Sequence, residues 1–336
     1  MRILHLLASP FWSGPAELVA LLATAQRALG HEVSVAIDRR RDEAASEELA
    51  LPRLQALGLV DDGGLELSVK APPWSLLADA RRLARRKVDV VHSHFSHDHL
   101  VARLGRPRGA SLVRSIHAPR SLRRWMPRAD AWTVPSLSLA GPLVGRPVMA
   151  LAPLVDPAFV PPADRAALRD ELGLPGTPQV GMVSTFQPSR RHSLGVKAFA
   201  LLLARAPDAR LVLVGDGQLM PDVRAQVRSL GLEGHVAFAG YLSGEAFVRH
   251  LQALDLVWIL GLGNDFSGRA AAQARACGVR VVAVDEGALA SQADALVEPT
   301  AESIVEATCV DERRFVPART HEAIARDVLA LYEKAR

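Results

Sequence analysis

Residues 256–284 restrict the fold more narrowly than the rest of the chain, because their pattern is that of a single strand–helix–strand unit. The unit consists of a predicted strand at 256–260, a Gly-rich polar loop at 261–268, a helix of small residues at 269–277 that Gly278 ends, and a second strand at 279–284. Both strands are continuous apolar runs, which are typical of parallel strands buried on both faces. Parallel strands that are joined by a helix indicate an α/β protein.

The Gly-rich loop of this unit leads into a helix N-terminus. Unpaired backbone N–H groups and the positive end of the helix dipole favour an anion there, typically a phosphate or diphosphate. The glycines alone would also fit a purely structural turn. The binding interpretation is favoured by Asp265, Arg269 and Gln273, because their four-residue spacing places them on one face of the helix.

Short apolar runs alternate with helical segments in two series. In the first series, strands are predicted at 2–8, 31–38, 88–92, 110–117 and 131–135, and helices at 18–29, 51–57 and 73–86. In the second, strands are predicted at 179–184, 211–214, 236–239, 256–260 and 279–284, and helices at 194–205 and 269–277. This alternation predicts doubly wound parallel sheets, which bind ligands beyond the carboxyl ends of their strands.

A Pro-rich region near 150–176 separates the two series and indicates a domain boundary. We predict an N-terminal domain at 1–158, a linker at 159–178, a C-terminal domain at 179–318 and a C-terminal helix at 319–336.

The composition is that of a folded protein. The chain has 336 residues, 49% of them hydrophobic, and a mean hydropathy of +0.12, which suffices for two cores and excludes extensive disorder. We expect neither a transmembrane helix nor a signal peptide, since no apolar run is long enough and the first residues resemble a strand. Cys277 and Cys309 give no disulfide framework and no metal-ligand spacing. These features favour a cytoplasmic protein.

Positive charge is concentrated in the N-terminal domain. Between Arg81 and Arg128 there are 13 Lys and Arg residues and two acids, although the net charge of the whole chain is only +4. Such a bias favours an anionic partner, such as a phosphorylated substrate, the inner face of a membrane or a nucleic acid. An Arg-rich solvated surface explains it equally well. Nucleic acid is disfavoured, because aromatic residues are not interleaved with the basic ones.

Several histidines follow predicted strand ends. They are His92, His94, His97, His99 and His117. A polar acceptor-binding surface explains them better than a metal site, because Asp98 is the one carboxylate beside the first four. No Asp-x-Asp triplet is present, which argues against a diphosphate bridged by a metal ion. We therefore predict no metal and no cofactor.

Eight segments, taken in order, resemble the GT-B glycosyltransferases, specifically the family 4 retaining enzymes that use nucleotide sugars. The segments are SGPAELVALLATAQRALGHEV, VDVVHSHFSHDHL, SIHAPRSLR, LAPLVDPAFVPP, VSTFQPSRRHSLGVKAFALL, DARLVLVGDG, HVAFAG and GNDFSGRAAAQARACGVRVVA. The resemblance covers nearly the whole chain. It implies an α/β GT-B fold, in which two Rossmann-like doubly wound domains face a central cleft. The nucleotide sugar would bind the C-terminal domain, and the acceptor would bind mainly the N-terminal one.

The resemblance also implies roles for single residues. His117 matches the histidine that closes on the transferred sugar, and Asp265 matches the acid at the donor sugar, so both are expected to be catalytic. The expected donor-binding residues are Gly14, Thr185, Arg190, Gly240, Phe266, Ser267, Gly268, Arg269 and Gln273. The expected acceptor-binding residues are Trp12, His94, Arg120 and Arg123. Trp12 would stack on an acceptor ring or, equally well, pack in the core.

The chain departs from the family pattern at the donor site. Thr185 replaces one of two basic residues that hold the diphosphate, which leaves Arg190, Arg191 or Arg269 to supply the charge. A charge-assisted contact is worth about 1.5–3 kcal/mol. Gln273 stands for an acid at the ribose and can still form hydrogen bonds without charge.

We therefore expect a variant, metal-independent retaining glycosyltransferase that moves a sugar from a UDP- or GDP-linked donor to a glycan or lipid-linked acceptor in cell-surface glycan or glycolipid synthesis. The alternatives are an inactive donor-binding or scaffold protein, motivated by Thr185 and Gln273, and a GT-B sugar-nucleotide epimerase.

Overall fold

The computed structural model describes residues 1–39, 48–122, 128–143, 145–262, 267–310 and 319–336. The chain divides into two compact units. Unit 1 contains Met1–Leu154 and Arg319–Arg336, and unit 2 contains Val155–Ala318. Each unit has a six-stranded sheet in which every pairing is parallel, so the predicted α/β class with two doubly wound domains is confirmed.

Unit 1 has the strand order β2-β1-β3-β4-β5-β6. Its elements up to the boundary are β1 Arg2–Leu7, α1 Gly14–Ala28, β2 Glu32–Ile37, α2 Ala50–Ala56, α3 Pro73–Ala84, β3 Val90–Ser93, α4 Ser96–Leu104, β4 Ser111–Ser115, β5 Ala131–Val134 and β6 Val148–Ala150. The strands β1 and β3 lie side by side, with Leu4 opposite Val91 and His5 opposite His92.

Unit 2 has the strand order β12-β11-β10-β7-β8-β9. Its elements are α5 Arg165–Leu172, β7 Gln179–Val183, α6 His192–Leu203, β8 Arg210–Val214, α7 Met220–Ser229, β9 Val236–Gly240, α8 Gly244–Gln252, β10 Leu256–Ile259, α9 Arg269–Ala276, β11 Arg280–Val284, β12 Ala295–Val297 and α10 Ala301–Cys309. The strand–helix–strand segment that was predicted from the sequence at 256–284 corresponds to β10, α9 and β11.

The last helix, α11 His321–Lys334, belongs to unit 1 although it follows unit 2 in the chain. Thr320 caps its N-terminus by accepting the Ala323 N–H. Ile324, Val328 and Tyr332 are buried in the core cluster that α11 shares with α1 and β1. The amphipathic pattern of this helix is thus explained by one apolar face that covers unit 1.

Residues 159–178, which were expected to be a linker, contain α5 and pack in unit 2. The Arg165 and Arg169 guanidinium groups donate to the carbonyl oxygens of Gln252 and Ala253 at 2.8 and 2.7 Å. Asp164 caps the N-terminus of α5, and Gly173 ends it in the left-handed conformation. Both residues are typical helix caps in the sequence. The neighbouring prolines nevertheless led to the prediction of a linker in place of this helix.

Both units bury large apolar side chains at the strands that carry the loops of interest. Trp258 is 1% exposed in β10, and its indole N–H donates to Thr308 Oγ1 at 2.9 Å. Cys277 is buried, and burial raises the pKa of its thiol to about 11.

None of the helices in the described ranges combines the length and the apolar run that are needed to cross a bilayer.

Candidate functional site

Asp98 joins two loops at the carboxyl edge of the unit 1 sheet. Its carboxylate accepts the N–H groups of Ala8 at 3.1 Å and of Phe95 at 2.8 Å, and these residues follow β1 and β3 respectively. Burial raises the pKa of Asp98 to about 7, although the backbone donors and Arg114 act in the opposite direction. Asp98 therefore positions the loop that leads to α1 against the loop that begins α4.

Three buried histidines lie beneath these loops. The rings of His92 and His94 stack with centroids 4.4 Å apart, and the ring of His5 lies 5.3 Å from that of His94. His5 Nδ1 and His94 Nε2 share a hydrogen bond of 3.0 Å. The sequence indicated His92 and His94 but not His5, because β1 and β3 become neighbours only in the folded sheet.

A chain of hydrogen bonds connects the histidines to α11. Gln26 Oε1 lies 2.9 Å from His5 Nε2, and Gln26 Nε2 donates to the Tyr332 hydroxyl at 3.3 Å. The same hydroxyl lies 2.6 Å from His92 Nδ1, and Ser115 Oγ lies 2.9 Å from His92 Nε2. The network thus extends from β4 through β3 and α11 to β1. Its members fix one another's rotamers, since a buried polar group is costly without a partner.

Burial sets the protonation state of this cluster. It lowers the pKa of His5 to about 4 and that of His94 and His92 well below the ordinary value, with neighbouring histidines adding to the last two shifts. All three imidazoles are therefore neutral at pH 7.

Neutral imidazoles are metal ligands, and one nitrogen from each of His5, His92 and His94 lies within 4.8 Å of the others. Hydrogen bonds already engage these nitrogens, however. His5 Nδ1 and His94 Nε2 share one with each other. The hydrogen bonds to Tyr332 and Ser115 already occupy both nitrogens of His92.

The structure brings two of the predicted unit 1 residues together. The half-buried His117 ring lies 5.6 Å from the ring of His94, which links the expected catalytic histidine to the buried cluster. Arg120 is exposed in a 3₁₀ turn at Pro119–Ser121. Arg123 lies outside the described residues.

Trp12 and Gly14 lie at the start of α1. Trp12 is partly buried against the core, and the Arg53 guanidinium lies 4.7 Å from the ring centroid. One face of the Trp12 ring is therefore engaged within the protein. Gly14 is the first residue of α1, which begins four residues earlier than predicted, with Pro15 in its first turn.

In unit 2, the loops after β7, β8 and β10 pack backbone against backbone. A Cβ atom added at Gly261 would lie 2.0 Å from the Ser189 carbonyl oxygen, and one at Gly215 would lie 2.1 Å from the Ser184 carbonyl oxygen. The Gly215 N–H also donates to the Gly240 carbonyl at 2.8 Å, which places Gly240 at the same edge of the sheet. Glycine is required at these close approaches.

Two arginines hold the loop after β10. Arg190 Nη1 donates to the Gly261 carbonyl at 3.0 Å. Arg191 Nη1 donates to the Leu260 carbonyl and forms an ion pair with Glu286 Oε1 at 2.7 Å. Arg190, which was expected to bind the diphosphate, therefore contacts the Gly-rich loop. Thr185, five residues earlier in the chain, is exposed. The Arg191–Glu286 pair was not predicted, because 95 residues separate its members.

His192, which follows these arginines, is not a cation, contrary to what the basic run of residues 190–192 suggests. The ring stacks on Phe186 at a centroid distance of 4.1 Å, and the side chain is 2% exposed. Burial lowers the pKa of His192 to about 4, and Arg190 adds to the shift. Its role is to pack the first turn of α6 against the loop after β7.

The remaining residues that were expected to bind the donor lie at or near the N-terminus of α9. Gly268 caps the helix in the left-handed conformation with φ 67°, and Gln292 Nε2 donates to the Ser267 carbonyl at 2.8 Å. Arg269 begins α9, and Gln273 is 5% exposed one turn further along. Asp265 and Phe266 lie outside the described residues.

Two family profiles match the sequence. The one described as "Glycosyl transferases group 1" matches residues 164–333, and "Glycosyltransferase Family 4" matches residues 12–147. The first match alone covers half of the chain.

Similar sequences are named glycosyltransferases. The D-inositol 3-phosphate glycosyltransferase of Nocardia farcinica is 38% identical over 138 residues, which are 39% of this chain and 30% of that protein. The GDP-mannose-dependent alpha-(1-6)-phosphatidylinositol monomannoside mannosyltransferase of Mycolicibacterium smegmatis is 30% identical over 160 residues, 46% of this chain and 41% of that protein. The matched region thus spans between 30% and 41% of the length of these relatives.

Similar solved structures cover nearly the whole chain. Anabaena Alr3699/HepE in complex with UDP and glucose has a TM-score of 0.71 at 17% identity and covers 99% of this chain and 98% of its own. A glycosyltransferase from Rickettsia africae has a TM-score of 0.69 at 15% identity, with 99% and 93% covered. These neighbours confirm the predicted GT-B fold.

Proposed function

Because this chain belongs to the family of glycosyl transferases group 1, we propose that it transfers a sugar from a UDP- or GDP-linked donor to an acceptor hydroxyl. The observation that carries the proposal is the packing of two Gly-bearing loops, which follow β8 and β10, against the loop after β7 that ends in Arg190 and Arg191. Backbone N–H groups, a helix N-terminus and guanidinium groups together are suited to a diphosphate.

The chemistry that we propose relies on stabilising charge rather than on a protein nucleophile. The departing diphosphate gains negative charge as its bond to the anomeric carbon breaks, and the donors at α6 and α9 lower the energy of that state. The leaving phosphate takes the proton of the acceptor hydroxyl that bonds to the sugar. In this proposal the reaction needs no metal or cofactor and retains the anomeric configuration. His117 contacts the transferred sugar, Asp265 binds its hydroxyls, and Gln273 binds the ribose.

For the acceptor we propose a glycan or a lipid-linked sugar that binds unit 1 near His94, His117 and Arg120. The half-buried His117, whose ring stacks on the buried His94, gives a polar contact, and the exposed Arg120 suits an acceptor phosphate. One relative is named for a phosphatidylinositol monomannoside acceptor and another for D-inositol 3-phosphate.

We also propose that the protein is cytoplasmic and that unit 1 contacts the inner face of the membrane through α3. One face of this helix presents Trp74, which is 72% exposed, Leu77, which is 50% exposed, and the exposed Arg81. An amphipathic helix with tryptophan and arginine on one side suits an anionic lipid surface. The α4 residue Leu104 extends the surface, because α4 ends where Gly105 abuts the Ala80 backbone.

Vesicle co-sedimentation tests the membrane contact. The double substitution Arg81→Gln and Arg85→Gln should weaken binding to phosphatidylglycerol vesicles. We expect each arginine to account for about 1 kcal/mol of binding free energy, or about fivefold in affinity. Arg205→Gln, which removes an exposed charge from unit 2, should have no effect. Equal binding to neutral phosphatidylcholine vesicles, or none to either, would contradict the proposal and leave a protein partner as the explanation of this surface.

The proposed activity is tested by calorimetry with UDP and GDP, followed by assays of nucleotide release from a panel of donor sugars with and without acceptors. We expect nucleotide binding and release that depends on an acceptor. Release without an acceptor would favour the epimerase, and binding without turnover would favour a scaffold. A folded protein that binds no nucleotide at millimolar concentration would overturn the proposal.

A further inference from the structure

The pair formed by Arg191 and Glu286 points to a specific regulation of the donor site. We propose that Glu286 is an internal competitor, which occupies Arg191 until the diphosphate of the donor displaces it. The inference rests on the proposed function, because it concerns the same nucleotide site.

The backbone conformation of Arg191 indicates that its surroundings hold it in place. Its φ is 55°, and in the described part of the chain Leu67 is the other non-glycine residue with a positive φ. A side chain in this left-handed conformation is strained, and such strain persists where the surroundings fix the residue. Here the fixing contacts are the Leu260 carbonyl and the Glu286 carboxylate. Arg191 is also the N-cap residue of α6, so its side chain starts at a helix N-terminus.

The contacts of Glu286 are those that a phosphate would make. One carboxylate oxygen pairs with the Arg191 guanidinium at 2.7 Å, and the other accepts the Leu262 N–H at 3.1 Å. A guanidinium and a loop N–H are the donors that hold phosphate oxygens in proteins. The carboxylate therefore satisfies donors that the diphosphate needs.

Exposure makes the exchange accessible. The side chains of Arg191 and Glu286 are 35% and 31% exposed, so a ligand can reach the pair without unfolding the loop. A partly exposed ion pair is also weak enough to be displaced. The competition acts only on ligands that carry phosphate, and uncharged nucleosides should not be affected by it.

A double-mutant cycle with Glu286→Gln and Arg191→Ala tests the inference. Isothermal titration with UDP and with uridine would be measured for the four proteins at one salt concentration. Glu286→Gln should strengthen UDP binding by roughly two- to fivefold, because it removes the competing charge. Arg191→Ala should weaken UDP binding and reduce the effect of Glu286→Gln, because the competition at the Leu262 N–H remains. Uridine binding should stay the same in all four proteins.

Asp285→Asn is the matched control, because it removes the same charge from an exposed neighbour. Its UDP affinity should equal that of the unaltered chain. Suppose that the unaltered chain binds UDP and that Glu286→Gln weakens this binding or leaves it unchanged. Competition by Glu286 is then overturned, but the proposed donor site is not. If none of the four proteins binds UDP or GDP, the proposed function falls as well.

Discussion

At the scale of single residues, close backbone approaches set the shape of the proposed donor site. Gly261 lies against the Ser189 carbonyl and beside Arg191, so the position of the loop after β10 depends on the absence of a side chain. The Gly-rich segment and Arg190 were predicted from the sequence. The partners of these residues were not, because Gly261 and Arg190 meet only when β10 and β7 pair.

Gly261→Ala tests this dependence. The added Cβ would lie 2.0 Å from a backbone oxygen, which no rotamer can relieve, so the loop must move. We expect a loss of stability of about 1–3 kcal/mol and nucleotide binding weakened at least roughly tenfold, as measured by urea unfolding and calorimetry. Gly234→Ala is the control, since no atom lies within 4 Å of its Cβ position. An alanine variant at 261 with unchanged affinity would show that the close approach does not shape the site.

Burial across several elements controls the polar cluster of unit 1. His5 of β1, His92 and His94 of β3 and its loop, and Tyr332 of α11 form one network. The sequence indicated the histidines at strand ends, since polar residues there interrupt apolar runs. Their neutral state could not be predicted, because it depends on desolvation by elements far apart in the chain.

This burial makes the stability of unit 1 depend on pH. The pKa of each of these three histidines is lowered on folding, so their contribution is present above pH 6.5 and is lost as the pH falls from there. Asp98 acts in the opposite sense, because its raised pKa removes stability as the pH increases from 3.8 through about 7. Because three groups act against one, the free energy of unfolding should rise with pH near pH 5–6, by at most about 2–3 kcal/mol per pH unit.

Urea unfolding between about pH 5 and 6.5 measures this slope. His94→Asn should reduce it by about one proton, or roughly 1.4 kcal/mol per pH unit. His250→Asn in α8 of unit 2 serves as the control and should leave the slope unchanged. A flat profile in the unaltered chain would mean that the cluster is not kept neutral by burial.

At the scale of the whole molecule, unit 1 is not one continuous stretch of the sequence. The C-terminal helix α11 follows unit 2 but packs in the core of unit 1. The sequence predicted α11 as an amphipathic helix, and its period of apolar residues is clear. Its place against α1 and β1 could not be predicted, because unit 2 intervenes in the chain and periodicity shows only that a face is buried, not what covers it.

Ending the chain at Ala318 removes this helix. The lost burial includes Ile324, Val328, Leu331 and Tyr332, each worth about 1.5–3 kcal/mol, which together approach the full stability of a typical domain. We expect hydrogen exchange to show β1 and β3 unprotected in the shortened chain, while β7 and β10 remain protected. A chain of residues 155–318 alone should retain the same protection. Persistent protection of β1 in the shortened chain would contradict the assignment of α11 to the core of unit 1.

The return of the last helix to the first unit also fixes an order of events during synthesis. A ribosome releases the strands of unit 1 early, but the residues of α11 that complete its core leave only after unit 2. At roughly 5–20 residues per second, the delay while unit 2 is made is on the order of ten seconds. All residues of unit 2 are therefore available for folding before those of unit 1, and the apolar residues that α11 covers stay without this cover until α11 has been made.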